Sequence, residues 1–313
     1  MIVESIFNML GGLGLFLFGM KEMTASLELF SGSFLEKWIK KFTRNKYMGA
    51  IIGFIVTVII QSSSATTVII VSLANAGIMS LSQTVGVIMG SNIGTTVTGL
   101  IIAINLFSLA PIIIFIGVVL LFFKNTFIKS VGSVFTGFGI LFLGMSMMSQ
   151  AVKPISQLPI VKEILTSLKN PLIGILIGII FTAIVQSSSV SLGILEALGL
   201  AGAITIGNAA FVIYGQNIGT CVTALIAAIG AGKTAKRVIV IHVLFNLIGA
   251  ILFAGITLFS PFLDVIERLF SQNIMMQISM IHILFNVVST ILLLPFSDLL
   301  IKLAYKIVPE AKV

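Results

Sequence analysis

The chain has 313 residues, of which 58% are hydrophobic and only 9% charged, and its mean hydropathy is +1.20. A soluble domain carries about 25% charged residues, so the composition excludes a soluble globular protein and points to an integral membrane protein. The net charge of +8 lies in short basic flanks between apolar runs, a topology pattern and not a nucleic-acid footprint.

Met1-Ile-Val-Glu4 runs straight into an apolar span at 2–20, without the basic leader of a cleavable signal. That span suffices to cross about 30 Å of hydrocarbon. Residues 21–46 are charged and amphipathic, with Trp38, Lys37, Lys40 and Lys41, and are expected to lie in the interface. Two apolar arms follow, 48–60 and 65–79, each short of the about 20 residues that a crossing needs. Gln61-Ser62-Ser63-Ser64 stands between them, which predicts a re-entrant hairpin with a polar tip. The span 84–104 contains Asn92-Ile-Gly-Thr95 and is predicted to break there, and 107–123 closes the unit. The pattern then restarts. A span at 131–150 leads to a lysine-bearing stretch at 153–169, then to arms 171–185 and 190–201 around Gln186-Ser187-Ser188-Ser189. The span 204–229 contains Asn217-Ile-Gly-Thr220, 237–259 follows, and 275–294 is an extra crossing before an amphipathic tail. One cysteine, Cys221, excludes an internal disulfide.

A single offset of 125 residues relates the two halves. It maps Gln61 onto Gln186, Asn92 onto Asn217, Thr98 onto Thr223, and Gly14 and Gly19 onto Gly139 and Gly144. The glycine sets suit close helix packing. The expected organisation is a first repeat at 1–125, a second at 126–260 and a C-terminal piece at 261–313. A hairpin crosses nothing, so each unit crosses three times, and an odd number inverts the second unit. With seven crossings in all, one side receives 14 basic residues (Lys21, Lys37, Lys40, Lys41, Arg44, Lys46, Lys124, Lys129, Lys233, Lys236, Arg237, Lys302, Lys306 and Lys312) and the other 4 (Lys153, Lys162, Lys169 and Arg268). The basic side is expected to be cytoplasmic, which places the N-terminus outside and the C-terminus inside a cell membrane. The fold class is an all-α membrane protein, an inverted-repeat transporter with two re-entrant hairpins and broken helices.

Inverted repeats with short, interrupted apolar segments at matching positions point to a transport site near the midplane. Each tip sets serine hydroxyls and free backbone N–H groups at the start of a new helix. Two tips would surround an oxyanion with Ser63, Ser64, Ser188 and Ser189. Gln, Ser and Thr oxygens suit an alkali cation more than a transition metal. No Lys or Arg falls in the expected core, so a multiply charged anion needs co-bound cations.

QSSSATT at 61–67 and QSSSVSLG at 186–193, each followed by NIGT at 92–95 and 217–220, resemble the sodium/phosphate cotransporter family over nearly the whole chain. The resemblance implies sodium-coupled uptake of inorganic phosphate by alternating access, with no cofactor beyond sodium as co-substrate. It implies phosphate contacts from the tips, giving a candidate set of Gln61, Ser62, Ser63, Ser64, Asn92, Ser187, Ser188, Ser189 and Asn217. It maps sodium ligands onto Gln186, Ser187, Thr220 and Thr223, and Thr95, Thr98 and Gln216 join that set. The family often has serine or alanine where this chain has Gln216. Many bacterial members carry a PhoU-like regulatory domain, which is not expected in a chain ending at Val313. The partners expected are phosphate, sodium and the lipid bilayer, with a homodimer as a compatible assembly.

Other readings stand beside this one. A cation-coupled carrier of another small oxyanion or dicarboxylate uses the same hairpin logic. An intramembrane serine hydrolase needs one serine with a positioned base, which symmetric triplets fit poorly, and a passive anion channel lacks its basic ring. Glu196 is a carboxylate inside an apolar stretch, where a coupling role stands against a structural one. His242 and Asn246 match His282 and Asn286 at a spacing that shares one helix face, which favours a hydrogen-bonded scaffold over a proton relay.

Overall fold

The computed structural model describes residues 2–310, without the side chains of 30–36, and every regular element among them is helical. Lys312, one of the basic residues counted above, lies outside the described residues. Helix α1 (Ile2–Phe42) is one continuous rod of 41 residues. The span and the charged stretch after it are therefore not separate segments. No proline occurs there to stop the helix.

The first hairpin is α2 (Lys46–Ile60) and α3 (Ser63–Asn75), and α4 (Leu81–Ala103) follows it. A 3₁₀ turn at Phe107–Leu109 leads into α5 (Ala110–Leu121), and α6 is Thr126–Ile155. Helix α7 (Pro159–Ser167) meets α8 (Pro171–Val185) at 108°. The second hairpin pairs α8 with α9 (Ser188–Leu200), and α10 (Ile206–Gly219) and α11 (Cys221–Ala227) follow. Then come α12 (Lys233–Phe259), α13 (Phe262–Leu269), α14 (Ile274–Leu293) and α15 (Ser297–Ile307). The helix starts are duplicated like the motifs. Asn45 and Asn170 cap α2 and α8 by accepting two backbone N–H bonds each, and Ser80 and Thr205 cap α4 and α10.

Among the described residues, six helices are long and apolar enough to cross a membrane: α1 over Ile2–Leu29, α4, α6, α10 with α11, α12 and α14. The seventh expected crossing is the shorter apolar stretch Phe107–Leu121, about 22 Å long at 1.5 Å per residue. The outward faces are apolar. Leu172 and Ile184 of α8 and Ile251 of α12 are 77%, 75% and 68% exposed, a surface suited to lipid.

Glycine contacts fix the directions of the helices. A Cβ on Gly12 would lie 2.8 Å from the Gly144 carbonyl, and one on Gly137 would lie 2.7 Å from the Gly19 carbonyl. The order of contacts runs oppositely along α1 and α6, so these repeat-related helices are antiparallel and the two halves are inverted. Gly12 makes the close approach in α1 together with Gly19; Gly14, the expected partner, has nothing within 4 Å of its Cβ position.

Along α2 and α4 the order is the same in both helices: Gly86 meets Lys46, Gly90 meets Ala50, and Gly94 meets Thr57. Along α10 and α8, Gly215 meets Ile175 and Gly219 meets Ile179 and Thr182. Each entering arm is therefore parallel to the span after the hairpin. The return arm therefore runs back, and arms of 15 and 13 residues in each hairpin are shorter than the about 20 residues a crossing needs, which makes both hairpins re-entrant.

The expected break at Asn92–Thr95 does not occur, because α4 passes through it unbroken. In the second half a seam between α10 and α11 falls at Thr220, whose backbone is still helical (φ −58°, ψ −27°). At the basic side, Arg237 stacks 3.9 Å from the Tyr305 ring and donates to the Val308 carbonyl at 3.0 Å. Lys46 donates to the Pro295 carbonyl and the Ser297 hydroxyl, both at 3.0 Å.

Candidate functional site

Each tip is built by the first two residues of its motif. Gln61 ends α2 in the left-handed region (φ 54°), its N–H donating to the Thr57 carbonyl at 2.7 Å. Gln186 does the same after α8 (φ 58°), donating to Thr182 at 2.7 Å. A non-glycine residue in this region is uncommon, and here it occurs twice at equivalent positions. Ser62 and Ser187 then return to extended backbone and cap the outgoing arms, their Oγ atoms accepting from Ala65 at 3.1 Å and Val190 at 3.3 Å. Ser63, Ser64, Ser188 and Ser189 open those arms, where first-turn amides lack intrahelical acceptors and the helix dipole favours an anion.

Buried hydroxyls clasp each hairpin to its neighbouring span. Thr57 Oγ1 donates to Ser91 Oγ at 2.9 Å and lies 3.0 Å from Thr66 Oγ1. In the second half Thr182 Oγ1 donates to Ser191 Oγ at 2.9 Å, and Gln216 Nε2 donates to the Ser191 carbonyl at 3.1 Å. Gln216 thus stands where the first half has Ser91, but it ties its span to the outgoing arm α9, whereas Ser91 is held by the entering arm α2.

The two tips wall a cavity of about 140 Å³, lined by Gln61 through Ser64, Gln186 through Ser189, and Met20 and Thr24 of α1. None of these side chains is charged. The tips differ in one respect. The Gln61 amide donates to the Val58 carbonyl at 2.7 Å and its oxygen accepts from Thr98 at 2.7 Å, so it is fully held. Gln186 is exposed at the cavity, with no such side-chain bond among the described residues.

The other candidate residues lie outside this lining. Asn92 donates to Asn246 Oδ1 at 3.0 Å, and Asn217 Oδ1 accepts from Asn286 at 3.1 Å. Both NIGT asparagines are therefore engaged with α12 and α14, and neither faces the cavity. Thr95 and Thr220 donate back to the carbonyls of Ser91 and Gln216 at 3.1 and 2.9 Å. Thr98 reaches the cavity wall through Gln61, and Thr223 through Ser64, whose hydroxyl lies 3.4 Å from its Oγ1. Glu196 is fully buried in α9 and accepts from Ser279 at 2.6 Å.

Sequence reasoning passed over three residues. Thr24 follows Met20 by four, and the same offset pairs it with Ser149, a signal that extending the repeat alignment reveals. Asn246 and Asn286 were read as partners of the histidines. Each does donate to the backbone carbonyl of His242 or His282, at 3.2 and 2.9 Å, but what it adds is the bond to a NIGT asparagine. Neither His242 ring nitrogen has a hydrogen-bond partner among the described residues.

Antiparallel, repeat-related halves with two re-entrant hairpins meeting around a neutral polar cavity define a multi-pass membrane transporter. The chain belongs to the Na⁺/Pi-cotransporter family, which matches it at residues 15–150 and 144–263. This is a family of transporters and not of enzymes. YqeW of Bacillus subtilis, described as uncharacterised, is 34% identical over 94% of this chain and 95% of its own length. YjbB of Escherichia coli K12, named for inorganic phosphate export, is 29% identical over 79% of this chain and 46% of its own. The rat sodium-dependent phosphate transport protein 2A is 39% identical over 31% of this chain and 15% of its own. The chain thus spans less than half of those last two relatives. No solved structure matches it.

Proposed function

We propose that the protein is a sodium-coupled symporter of inorganic phosphate that works by alternating access, with phosphate held between the two QSSS tips. The observation that carries this reading is the cavity walled by both tips and by no charged side chain. Hydroxyl and amide donors from two helix starts suit a tetrahedral oxyanion. Without a fixed cation, such an anion is stable in the membrane interior only with bound countercharge, which sodium supplies. The engaged Gln61 and the unengaged Gln186 favour sodium beside the second tip, with Gln186 and Ser187 as its first ligands and Thr220 and Thr223 on the adjoining seam. Inverted halves let the same cavity open to either face. The basic asymmetry favours an outside N-terminus and a cytoplasmic C-terminus in the cell membrane.

Proteoliposomes loaded with potassium and diluted into sodium are expected to accumulate labelled phosphate at least about tenfold faster than in potassium on both sides, a factor equivalent to about 1.4 kcal/mol. Reversing the gradient is expected to drive efflux, so that one mechanism serves both uptake and the export for which YjbB is named. Equal rates in sodium and potassium would remove sodium from the mechanism.

A further inference from the structure

Among the described residues, the cavity leaves one buried carboxyl group unexplained. Glu196 sits on α9, the arm whose first residues form the second tip, and is 0% exposed. Its Oε1 accepts from Ser279 of α14 at 2.6 Å, and its Oε2 has no partner among the described residues. Beside that contact is α4, where a Cβ on Gly99 would lie 3.2 Å from Ser279 Oγ and 3.5 Å from Oε1. The first repeat has Val71 at the equivalent position, so this group belongs to the second hairpin alone.

Few charges are available to it. Helices α4 and α8 carry no titratable residue, and α10 carries only Tyr214, which bonds Thr257 at 2.6 Å. Helix α14 brings His282, one turn beyond Ser279, and α6 brings Lys129 and Lys153 near its two ends. Helix α1 meets α9 through Phe16 against Gly193, with Lys21 and Glu22 as its next ionisable positions. Ser279 is the one hydrogen-bond partner of the carboxyl group among the described residues. An unpaired carboxylate in such surroundings is strongly unfavourable. One carboxyl and one hydroxyl also fall short of the about six oxygens that a hard cation takes. A proton is the ligand that fits.

We infer that Glu196 is a proton-binding site that locks the second hairpin in the arrangement seen here and releases its proton when that hairpin moves. Protonated, the side chain rests neutral against Ser279 and Gly99. When α9 shifts to open the cavity, water reaches the group, the Glu196 O–H bond breaks, and a new O–H bond forms on that water. The hairpin returns only after the carboxylate regains a proton. The coupling to phosphate movement rests on the transport reading above; the proton site itself does not.

Two measurements on the reconstituted full chain test this. Infrared difference spectra are expected to show the carbonyl stretch of a neutral carboxylic acid that Glu196→Gln removes; identical spectra from the two proteins would overturn the proton site, whether or not phosphate moves. Phosphate exchange in the wild type is expected to vary with pH, beyond the titration of phosphate itself, by up to about tenfold per pH unit, the limit for one proton. Glu196→Gln, which preserves shape and the Ser279 contact, is expected to exchange phosphate without that component. A variant that keeps the wild-type profile would overturn the coupling and leave Glu196 a structural group. Should the glutamine variant fail to fold, Ser279→Ala is expected to displace both the band and the profile along the pH axis, and no displacement overturns the inference.

Discussion

Ser63→Ala combined with Ser188→Ala is expected to weaken phosphate binding by about 10²–10⁴-fold while the protein remains folded. Each variant removes one hydroxyl donor to an anion, and a hydrogen bond to a charged group contributes about 1.5–3 kcal/mol. Two such losses, one per tip, give about 3–6 kcal/mol, which converts to that range at 1.4 kcal/mol per decade. The positions are chosen on structural grounds. Ser62 and Ser187 cap α3 and α9 through their Oγ atoms, so alanine there would cost about 1 kcal/mol of helix stability as well. Ser63 and Ser188 are the first helical residues and cap nothing, so binding and folding separate. The measurement is phosphate affinity by competition against labelled phosphate uptake, with thermal unfolding in detergent as the control. If the double variant binds as tightly as the wild type, phosphate is not held between the tips.

The second large effect is expected from the glycines that seat the hairpins. A Cβ on Gly90 would collide with the Ala50 carbonyl, and one on Gly215 with the Ile175 carbonyl. Both obstacles are backbone, so no side chain can turn aside, and α2 or α8 must move off its span. Overpacking of this kind costs about 1–3 kcal/mol, and each shift also displaces the tip that the arm carries. Gly90→Ala and Gly215→Ala are expected to lower the unfolding temperature and to abolish most transport. Gly14→Ala, with nothing within 4 Å of its Cβ position, is the control and is expected to stay within about 0.5 kcal/mol of wild type. Wild-type stability and transport in Gly90→Ala would mean that the hairpin is not seated as described.

The same glycines show where sequence reasoning succeeds and where it stops. The hairpin arms were legible because length alone separates a crossing from a re-entrant arm: 48–60 was expected where Lys46–Ile60 forms, and 171–185 where Pro171–Val185 forms. The tips were legible because four hydrogen-bonding residues in an apolar run need a polar partner, and the chain contains them twice. Which glycine makes a close approach depends on the neighbouring helix, and sequence spacing favoured Gly14 where packing uses Gly12. The NIGT break was misread for a related reason. A helix-interior glycine costs only about 1 kcal/mol, and α4 offsets this by seating Gly94 against Thr57 and by satisfying Asn92 through Asn246. Asn92 and Asn217 must find partners, as polar groups in a membrane do. Their partners, Asn246 and Asn286, lie 154 and 69 residues away, and only the tertiary structure joins them.

The location of the substrate is open to direct observation with arsenate, a tetrahedral oxyanion of the same chemistry whose arsenic scatters anomalously. Crystals of the full chain grown with sodium and arsenate are expected to show an arsenic peak in the cavity between Gln61–Ser64 and Gln186–Ser189, within hydrogen-bond distance of Ser63, Ser64, Ser188 and Ser189. Arsenic bound elsewhere in the molecule, with that cavity empty, would contradict a site shared by the two hairpin tips.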